Sequence, residues 1–455
     1  MTEELVKISI DERRERLRAA LAQGSREAVV AATLGASPAQ LADVLYGMTP
    51  EEISGLVRLL GDEQVADIIA ELPPPEAADL LLRLSRQLAA DILEEMSPDD
   101  ATDVVEELAP EVAESLLREM PPTEAEEVRE LMVYPPDTAG GRMTPHFVAL
   151  RPEMTADEAI QLLRAKAEEA ETIYYAYVTD AAGHLLGVMS LRKLVLAPPT
   201  ARVGDLMDRA VVSVRADADQ EEAARLLNEY HFLALPVVDE QNRLLGIITV
   251  DDVAHVLEEE VTEDIARLGG SEPLEQHYLH ASVLTLARKR VGWLLVLFLA
   301  EAYTGTVLRH FEDELQRVVQ LAFFIPLLIG TGGNMGSQTV TTLVRAMAIG
   351  QVTFNDLLRV WVKEVATGLL LGLVMGLASF LRALTLQVDF HVGLVVAVAA
   401  ALICLWAATV AAVLPLLLRR LGIDPAVVSA PFISTLVDGT GLFMYFTVAR
   451  LMLGL

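Results

Sequence analysis

Five long apolar runs fill the chain beyond Arg288, at about residues 291–308, 320–347, 364–385, 391–418 and 427–454. Each meets or exceeds the roughly 20 residues that carry a helix across a bilayer. Backbone polar groups in hydrocarbon must be satisfied within the chain, so these runs call for an all-α membrane domain of five helices. Basic residues near the ends give the orientation. Arg288, Lys289, Arg290, Arg345, Arg359, Lys363, Arg419 and Arg420 fall on one side, and Arg309, Arg317, Arg382 and Arg450 on the other. This bias predicts a multi-pass protein of the cell (inner) membrane with a cytoplasmic N-terminus, an outer C-terminus, and the loop Glu312-Asp313-Glu314 outside. The opening residues, Met1 to Leu5, lack the basic-then-apolar pattern of a signal peptide.

The rest of the chain has the opposite character. Residues 281–455 hold 12 basic and 9 acidic residues, whereas the first 280 hold 23 and 56, a net charge of −33. A nucleic-acid binder needs a basic face, so that class is excluded. A field of one sign concentrates counter-ions of the other, here cations. The single cysteine, Cys404, rules out a disulfide framework or a thiolate metal site within one chain.

At the junction stands residues 251–268, with seven carboxylates: Asp251, Asp252, Glu258, Glu259, Glu260, Glu263 and Asp264. On a helix, Glu259 and Glu263, and Glu260 and Asp264, are like-charge neighbours four apart. Each pair costs roughly 0.2–0.5 kcal/mol unless a cation lies between them. A solvated helix face is the alternative.

Upstream, two repeats appear. Pro50, Pro74, Pro98 and Pro122 recur every 24 residues, at the position where a helix tolerates proline best. Thr49 and Ser97 precede them as N-caps. Val104, Leu108, Val112 and Leu116 show the apolar spacing that follows. Two short helices per repeat, stacked as an acidic superhelix, are predicted for residues 1–142. Asp99, Asp100 and Asp103 read equally as a cation site and as charges complementing a helix N-terminus.

Residues 143–250 hold the longer repeat. Asp157-Glu-Ala-Ile recurs as Glu221-Glu-Ala-Ala, and Leu186-Gly-Val-Met-Ser-Leu-Arg-Lys-Leu-Val as Leu245-Gly-Ile-Ile-Thr-Val-Asp-Asp-Val-Ala. Each half reads helix, strand, turn, strand, helix, with strands at 174–178, 186–189, 235–238 and 246–250. This resembles a tandem pair of CBS (α/β) domains. The resemblance implies an adenine nucleotide such as ATP, held through a Ser/Thr and an Asp three residues later. The second half has Thr249 and Asp252, with Tyr175, Arg192 and Phe232 as further candidate contacts. The first half has Ser190 but Lys193. Thr249 and Asp252 read equally as a cap of the following helix.

Two spans carry polar chemistry. The second contains Gly330-Thr-Gly-Gly-Asn-Met-Gly-Ser-Gln, with Asn334, Ser337, Gln338 and Thr341 supplying neutral oxygens. The fifth contains Asp438 near its middle. A mid-membrane aspartate costs about 2.5–3.5 kcal/mol on insertion scales, so it faces a polar interior or bonds to neighbouring hydroxyls. Glu301 and Glu364 lie nearer helix ends. Asp424 sits before Pro425 in the turn between spans four and five, placed to meet the acidic stretch, although a turn aspartate needs no other reason.

Taken in order, these parts resemble the MgtE family of magnesium channels. The acidic helical domain (1–142), the CBS pair (143–250), an acidic connecting or plug helix (251–285), five spans (286–455), Gly-Thr-Gly-Gly-Asn and Asp-x-x-Gly all match. The resemblance implies a homodimer with one pore on its two-fold axis and Mg²⁺ as both cargo and regulator. Asp438, Gly330, Gly333, Asn334 and Thr341 would line the pore. Asp99, Asp103, Asp219, Glu221, Asp252, Glu260, Glu263, Asp264 and Asp424 would form the regulatory sites that close it.

Four residues depart from the family pattern. His231 and His255 stand where sensor carboxylates are expected, which implies one regulatory site fewer or a pH-sensitive one. Ser337 and Ala430 replace asparagines near the pore. Three rivals are weaker. A membrane enzyme built on Asp438 lacks a second catalytic group in the spans. A CBS-bearing chloride channel conflicts with the acidic outer loop and the mid-span aspartate. An ion-coupled carrier differs only in coupling.

Overall fold

The computed structural model describes residues 9–274, 278 and 281–455, with only the backbone of Glu258. The Met1–Leu5 reading and the Glu258 carboxylate therefore lie outside the described residues. The chain divides into two compact units, up to Glu260 and from Val261 onward.

The first unit opens with short helices from Ile10–Gln23 to Pro122–Leu131. The 24-residue repeat is visible in them. Pro50, Pro74, Pro98 and Pro122 each begin a helix, and one further helix lies between successive prolines. Several helices pack on the one two places later, as Asp62–Ala70 does on Arg86–Glu95 and Pro74–Arg83 on Pro98–Glu106. Their apolar faces share one core that includes Val65, Ile69, Leu80, Ile92 and Val104.

Thr49 caps its helix as expected, accepting from Glu52 N–H while the Glu52 carboxylate accepts from Thr49 N–H. Ser97 does not. It occupies the cap position, but its hydroxyl donates to Asp100 Oδ2 at 2.7 Å. It makes no side-chain bond to the first N–H groups of its helix.

The CBS region forms two three-stranded sheets with the same topology. β1 (Ala149–Leu150) runs parallel to β2 (Tyr175–Thr179), which is antiparallel to β3 (Leu185–Ser190). β4 (Val214–Arg215), β5 (Ala234–Val238) and β6 (Leu244–Thr249) repeat this arrangement. The irregularities at Val178/Thr179 and Val237/Val238 match, and Tyr175↔Ser190 corresponds to Ala234↔Thr249. The two-residue strands β1 and β4 were not expected, being too short to show an alternating pattern.

Two sequence-drawn boundaries move. Residues 137–142, assigned to the helical domain, belong with the second sheet: Ala139 N–H donates to Ala218 O, Gly140 N–H to Ala216 O, and Ala139 is buried in that core. The acidic helix is Val250–Leu268, and it starts inside the CBS core, where Val253 and Val256 are buried. Its carboxylates mark the exposed side of an amphipathic helix, which hid its apolar side from a charge-based boundary.

The second unit carries five helices long and apolar enough to span a membrane: Val283–His310, Val319–Ala348, Phe354–Thr385, Phe390–Arg420 and Ala430–Leu453. The predicted runs began late for the first and third, because each helix opens with several polar residues. The fourth is the most apolar and packs along the third, second and fifth. Buried Ala399, Ile403, Ala407, Val437 and Tyr445 belong to the shared core.

Candidate functional site: an ion path and its acidic sensors

Asp438 lies beside Gly333 of the second span and Ser434, one turn back on its own helix. A Cβ on Gly333 would stand 2.3 Å from Ser434 Oγ and 3.6 Å from Asp438 Oδ1, so only glycine admits this approach. Among the described residues, buried Asp438 Oδ1 has no hydrogen-bond partner. That cost is normally met by pairing. Thr304 of the first span, which sequence reasoning missed, packs on the next residue of the fifth span: its hydroxyl would be 3.1 Å from a Cβ on Gly439, and it too is buried without a hydrogen-bond partner among the described residues. Spacing gave no sign of Thr304.

The other expected pore residues form a stripe. Asn334 and Thr341 are exposed on the second span, Gly330 faces open space, and Gln338 lies exposed between them. The opposite side of the same helix, with Gly332, Gly336 and Val340, is buried. Gly330, Asn334 and Thr341 stand at i, i+4 and i+11, on one helical face. Amide and hydroxyl groups on a lipid-facing surface are costly, so this stripe suits water or a second protein surface.

The two departures near the pore meet each other. Ser337 Oγ donates to the Ala430 carbonyl at 3.3 Å. Glu364 accepts from Thr339 Oγ1 at 3.4 Å, in keeping with a structural role.

In the first unit the acidic residues divide into two groups. Asp99, Asp100, Asp252 and Glu171 repel one another. Asp99 is 8% exposed, and its Oδ1 has no hydrogen-bond partner among the described residues. Burial first, then the neighbouring carboxylates, holds Asp99 well above the usual carboxylate range. Burial likewise raises Asp100 to about 6, and burial with Asp252 and Asp251 raises Glu171 to about 7. His255, exposed on the connecting helix, acts on both Asp100 and Asp252. His231 stands apart, exposed in the left-handed cap of helix Gln220–Tyr230.

The second group is built around a residue that sequence reasoning missed. Arg142 donates to Asp103 Oδ2 at 2.7 Å, to Glu259 Oε2 at 2.7 Å and to Gln220 Oε1 at 2.9 Å. Gln220 in turn donates to Glu260 Oε1 at 2.7 Å. A lone arginine after Gly-Gly carries no local signal of this role. Burial still raises Asp103 to about 7, outweighing Arg142, with Asp100 and Glu259 adding to the rise. Asp219 caps its helix, accepting from Glu221 N–H at 2.8 Å. Asp219 and Glu221 are both exposed.

In the second unit, Arg267 pairs with both Glu263 and Asp424. Asp264 lies between Asp424 and Arg345; burial, then Asp424, raises its carboxyl above the usual range. The expected meeting of the acidic helix with Asp424 is present, with an arginine at its centre. Among the described residues, no three of His, Cys, Asp and Glu converge closely enough to hold a bare metal ion. Carboxylates too far apart to ligate an ion directly could reach Mg²⁺ only through its hydration shell, which it gives up reluctantly.

At the candidate nucleotide site, Thr249 and Asp252 bond to each other. Asp252 Oδ2 accepts from Thr249 Oγ1 at 2.6 Å and from Thr249 N–H at 3.0 Å. Ser190, at the matching register, caps its helix by accepting from Lys193 N–H. Tyr175 is half-buried, Arg192 exposed, and Phe232 stacked on Tyr230 at 5.3 Å.

Comparison with known proteins decides the family. Residues 325–448 match MgtE divalent cation transporters, 36–137 the MgtE intracellular N domain, and 139–199 and 203–259 CBS domains. The chain is 50% identical over 329 residues to the magnesium transporter MgtE of Thermus thermophilus, covering 72% of each chain. The chain belongs to the MgtE family of magnesium transporters. It is also 36% identical to the MgtE of Enterococcus faecalis, covering 71% of each chain. The crystal structure of an MgtE cytosolic domain in complex with ATP superposes with a TM-score of 0.50 at 41% identity, covering 53% of this chain and 99% of that one. The soluble part of a magnesium transporter superposes with a TM-score of 0.51 at 32% identity, covering 55% and 99%. An MgtE architecture of helical N domain, CBS pair and apolar helices is therefore what this sequence builds.

Proposed function

We propose that this chain forms a homodimeric Mg²⁺ channel that admits the ion across the cell membrane and closes when cytosolic Mg²⁺ is plentiful. The observation that carries the reading is Asp438 Oδ1, buried in the fifth span beside Gly333 and unpartnered among the described residues. A carboxylate there, with the Ser434 hydroxyl near, favours a hydrated divalent cation over an anion. Asn334, Thr341 and the space at Gly330 would line the same path. Weak contacts through water let the ion leave as readily as it enters.

The acidic groups act as the switch. Asp99, Asp252 and their neighbours repel in the compact arrangement, and Mg²⁺ between them offsets that repulsion. An ion shifts the equilibrium only if it binds the compact state more tightly. Glu260, Glu263, Asp264 and Asp424 extend the switch along the connecting helix. Asp103, Asp219 and Glu221 contribute from the first unit. ATP at Thr249 and Asp252 requires their mutual bond to open. In this reading segments 1–142, 143–250, 251–285 and 286–455 serve as sensor, scaffold, plug and pore. Exposed Leu257, Val261 and Ile265 on the connecting helix support pairing of two copies.

Mg²⁺ uptake into proteoliposomes tests the central residue. Asp438→Asn is expected to reduce flux at least tenfold, with Asp438→Glu retaining part of it. Unchanged flux in Asp438→Asn removes this carboxylate from the path.

A further inference from the structure

A groove of about 230 Å³ opens between the third and fourth spans, lined by Leu357, Leu358, Trp361 and Val413. It lies at the end of these spans that carries Arg359, Lys363, Arg419 and Arg420. Leu357–Trp361 are the first residues of helix Leu357–Thr385, and Arg420 is the last of helix Phe390–Arg420. The groove is apolar along its length and charged at its mouth.

Two side chains there are incompletely used by the protein. The Arg420 guanidinium rests over the Phe354 ring, 4.5 Å from its centroid, three residues before the groove wall begins. Among the described residues no carboxylate pairs with it. Asp424, the acid nearest Arg420 in sequence, pairs with Arg267, and Asp356, two residues after Phe354, is engaged by Thr353 N–H and Oγ1 at 3.0 and 2.9 Å. The other feature is Trp361. The indole N–H of Trp293 donates to Ser429 Oγ, and that of Trp406 to Thr440 Oγ1. Trp361, 37% exposed, has no protein acceptor among the described residues. A tryptophan with an apolar body in a groove and a free donor at its edge suits the lipid interface.

We propose that this groove is a binding site for an anionic phospholipid, with one acyl chain along Leu357, Leu358, Trp361 and Val413, the phosphate on Arg420, and a polar ester or phosphate oxygen on Trp361 N–H. Charge complementarity selects the occupant. Basic pockets between spans on the cytoplasmic side attract anionic headgroups, each Lys or Arg near the surface contributing about 1 kcal/mol. A neutral lipid would satisfy the groove but leave Arg420 without a counter-charge. The site rests on reading these helices as spans, and is independent of which ion the protein carries.

Bromolipid quenching tests it in the full chain. Trp293→Phe and Trp406→Phe leave Trp361 as the sole tryptophan in proteoliposomes. Brominated phosphatidylglycerol, diluted in phosphatidylcholine, should quench Trp361 with about five-fold preference over brominated phosphatidylcholine at equal dilution, the equivalent of ~1 kcal/mol. Arg420→Gln should remove the preference. Equal quenching by both lipids, or a preference indifferent to Arg420→Gln, overturns the proposal. Quenching by neither means that a second copy covers the groove and also overturns it. Native mass spectrometry of the unsubstituted protein gives a separate reading: phosphatidylglycerol should be retained over phosphatidylcholine, and retention without preference contradicts the site.

Discussion

Arg142 brings one positive charge into a seam crowded with carboxylates. Its planar fork reaches Asp103, Glu259 and Gln220 at once. Lysine, a point charge on a flexible stem, cannot reproduce that geometry. Removing one partner of a hydrogen-bonded charged set leaves the others unpaired, at about 1–3 kcal/mol for each buried group. Arg142→Gln should therefore loosen the metal-free first unit. Limited proteolysis without Mg²⁺ is expected to cut the variant faster, with protection returning as Mg²⁺ is added. Equal cutting rates would show that Arg142 is incidental. Arg142→Lys should fall between the two. These partners lie 39, 78 and 117 residues away. No local pattern announces such a set, so the sequence showed the acids and not the base among them.

The other acidic group, around Asp99 and Asp252, predicts a pH dependence. Asp100 is raised to about 6 by burial, and Glu171 to about 7 by burial and Asp252. A carboxylate with a raised pKa holds its proton longer in the compact state than in an opened one. The compact state then binds more protons between about pH 4 and 7, and its stability falls as pH rises through that window. Small-angle scattering of the metal-free protein should show a smaller radius of gyration at pH 5.5 than at pH 7.5. Millimolar Mg²⁺ should abolish the difference at pH 7.5. An expansion on acidification would reverse the sign and contradict the repulsion argument.

At the scale of elements, the helical repeat was legible because proline and its capping residue act locally. Thr49 shows this directly, its capping box with Glu52 being complete. Thr49→Ala should cost about 1 kcal/mol, within the range for lost N-caps. Thermal unfolding of the protein checks it, and an unchanged midpoint would mean that the cap contributes nothing here. Ser97 departs from the same rule: its hydroxyl donates to Asp100, and it makes no side-chain bond to its helix. The connecting helix was legible in position but not in its start. Charge marks its wet side, while Val253 and Val256 anchor its first turns in the CBS core. Strands β1 and β4 have two residues each, too few for any periodic signal.

At the scale of the whole molecule, the sequence divides by composition into an acidic part and an apolar part. Hydropathy located the five long apolar helices, and the mid-span aspartate marked the candidate polar path. Its neighbour Ser434, and Thr304 beside Gly439, emerged only from helix packing. The acidic part offers carboxylates whose repulsion is partly offset by Arg142 and Arg267. In the proposed switch, Mg²⁺ shifts this balance between repulsion and pairing. The most direct measurement is Mg²⁺ flux through the reconstituted protein with the cytosolic face held first at micromolar and then at millimolar Mg²⁺. The proposed switch predicts that flux, corrected for driving force, collapses at the higher level; equal permeability at both would contradict it.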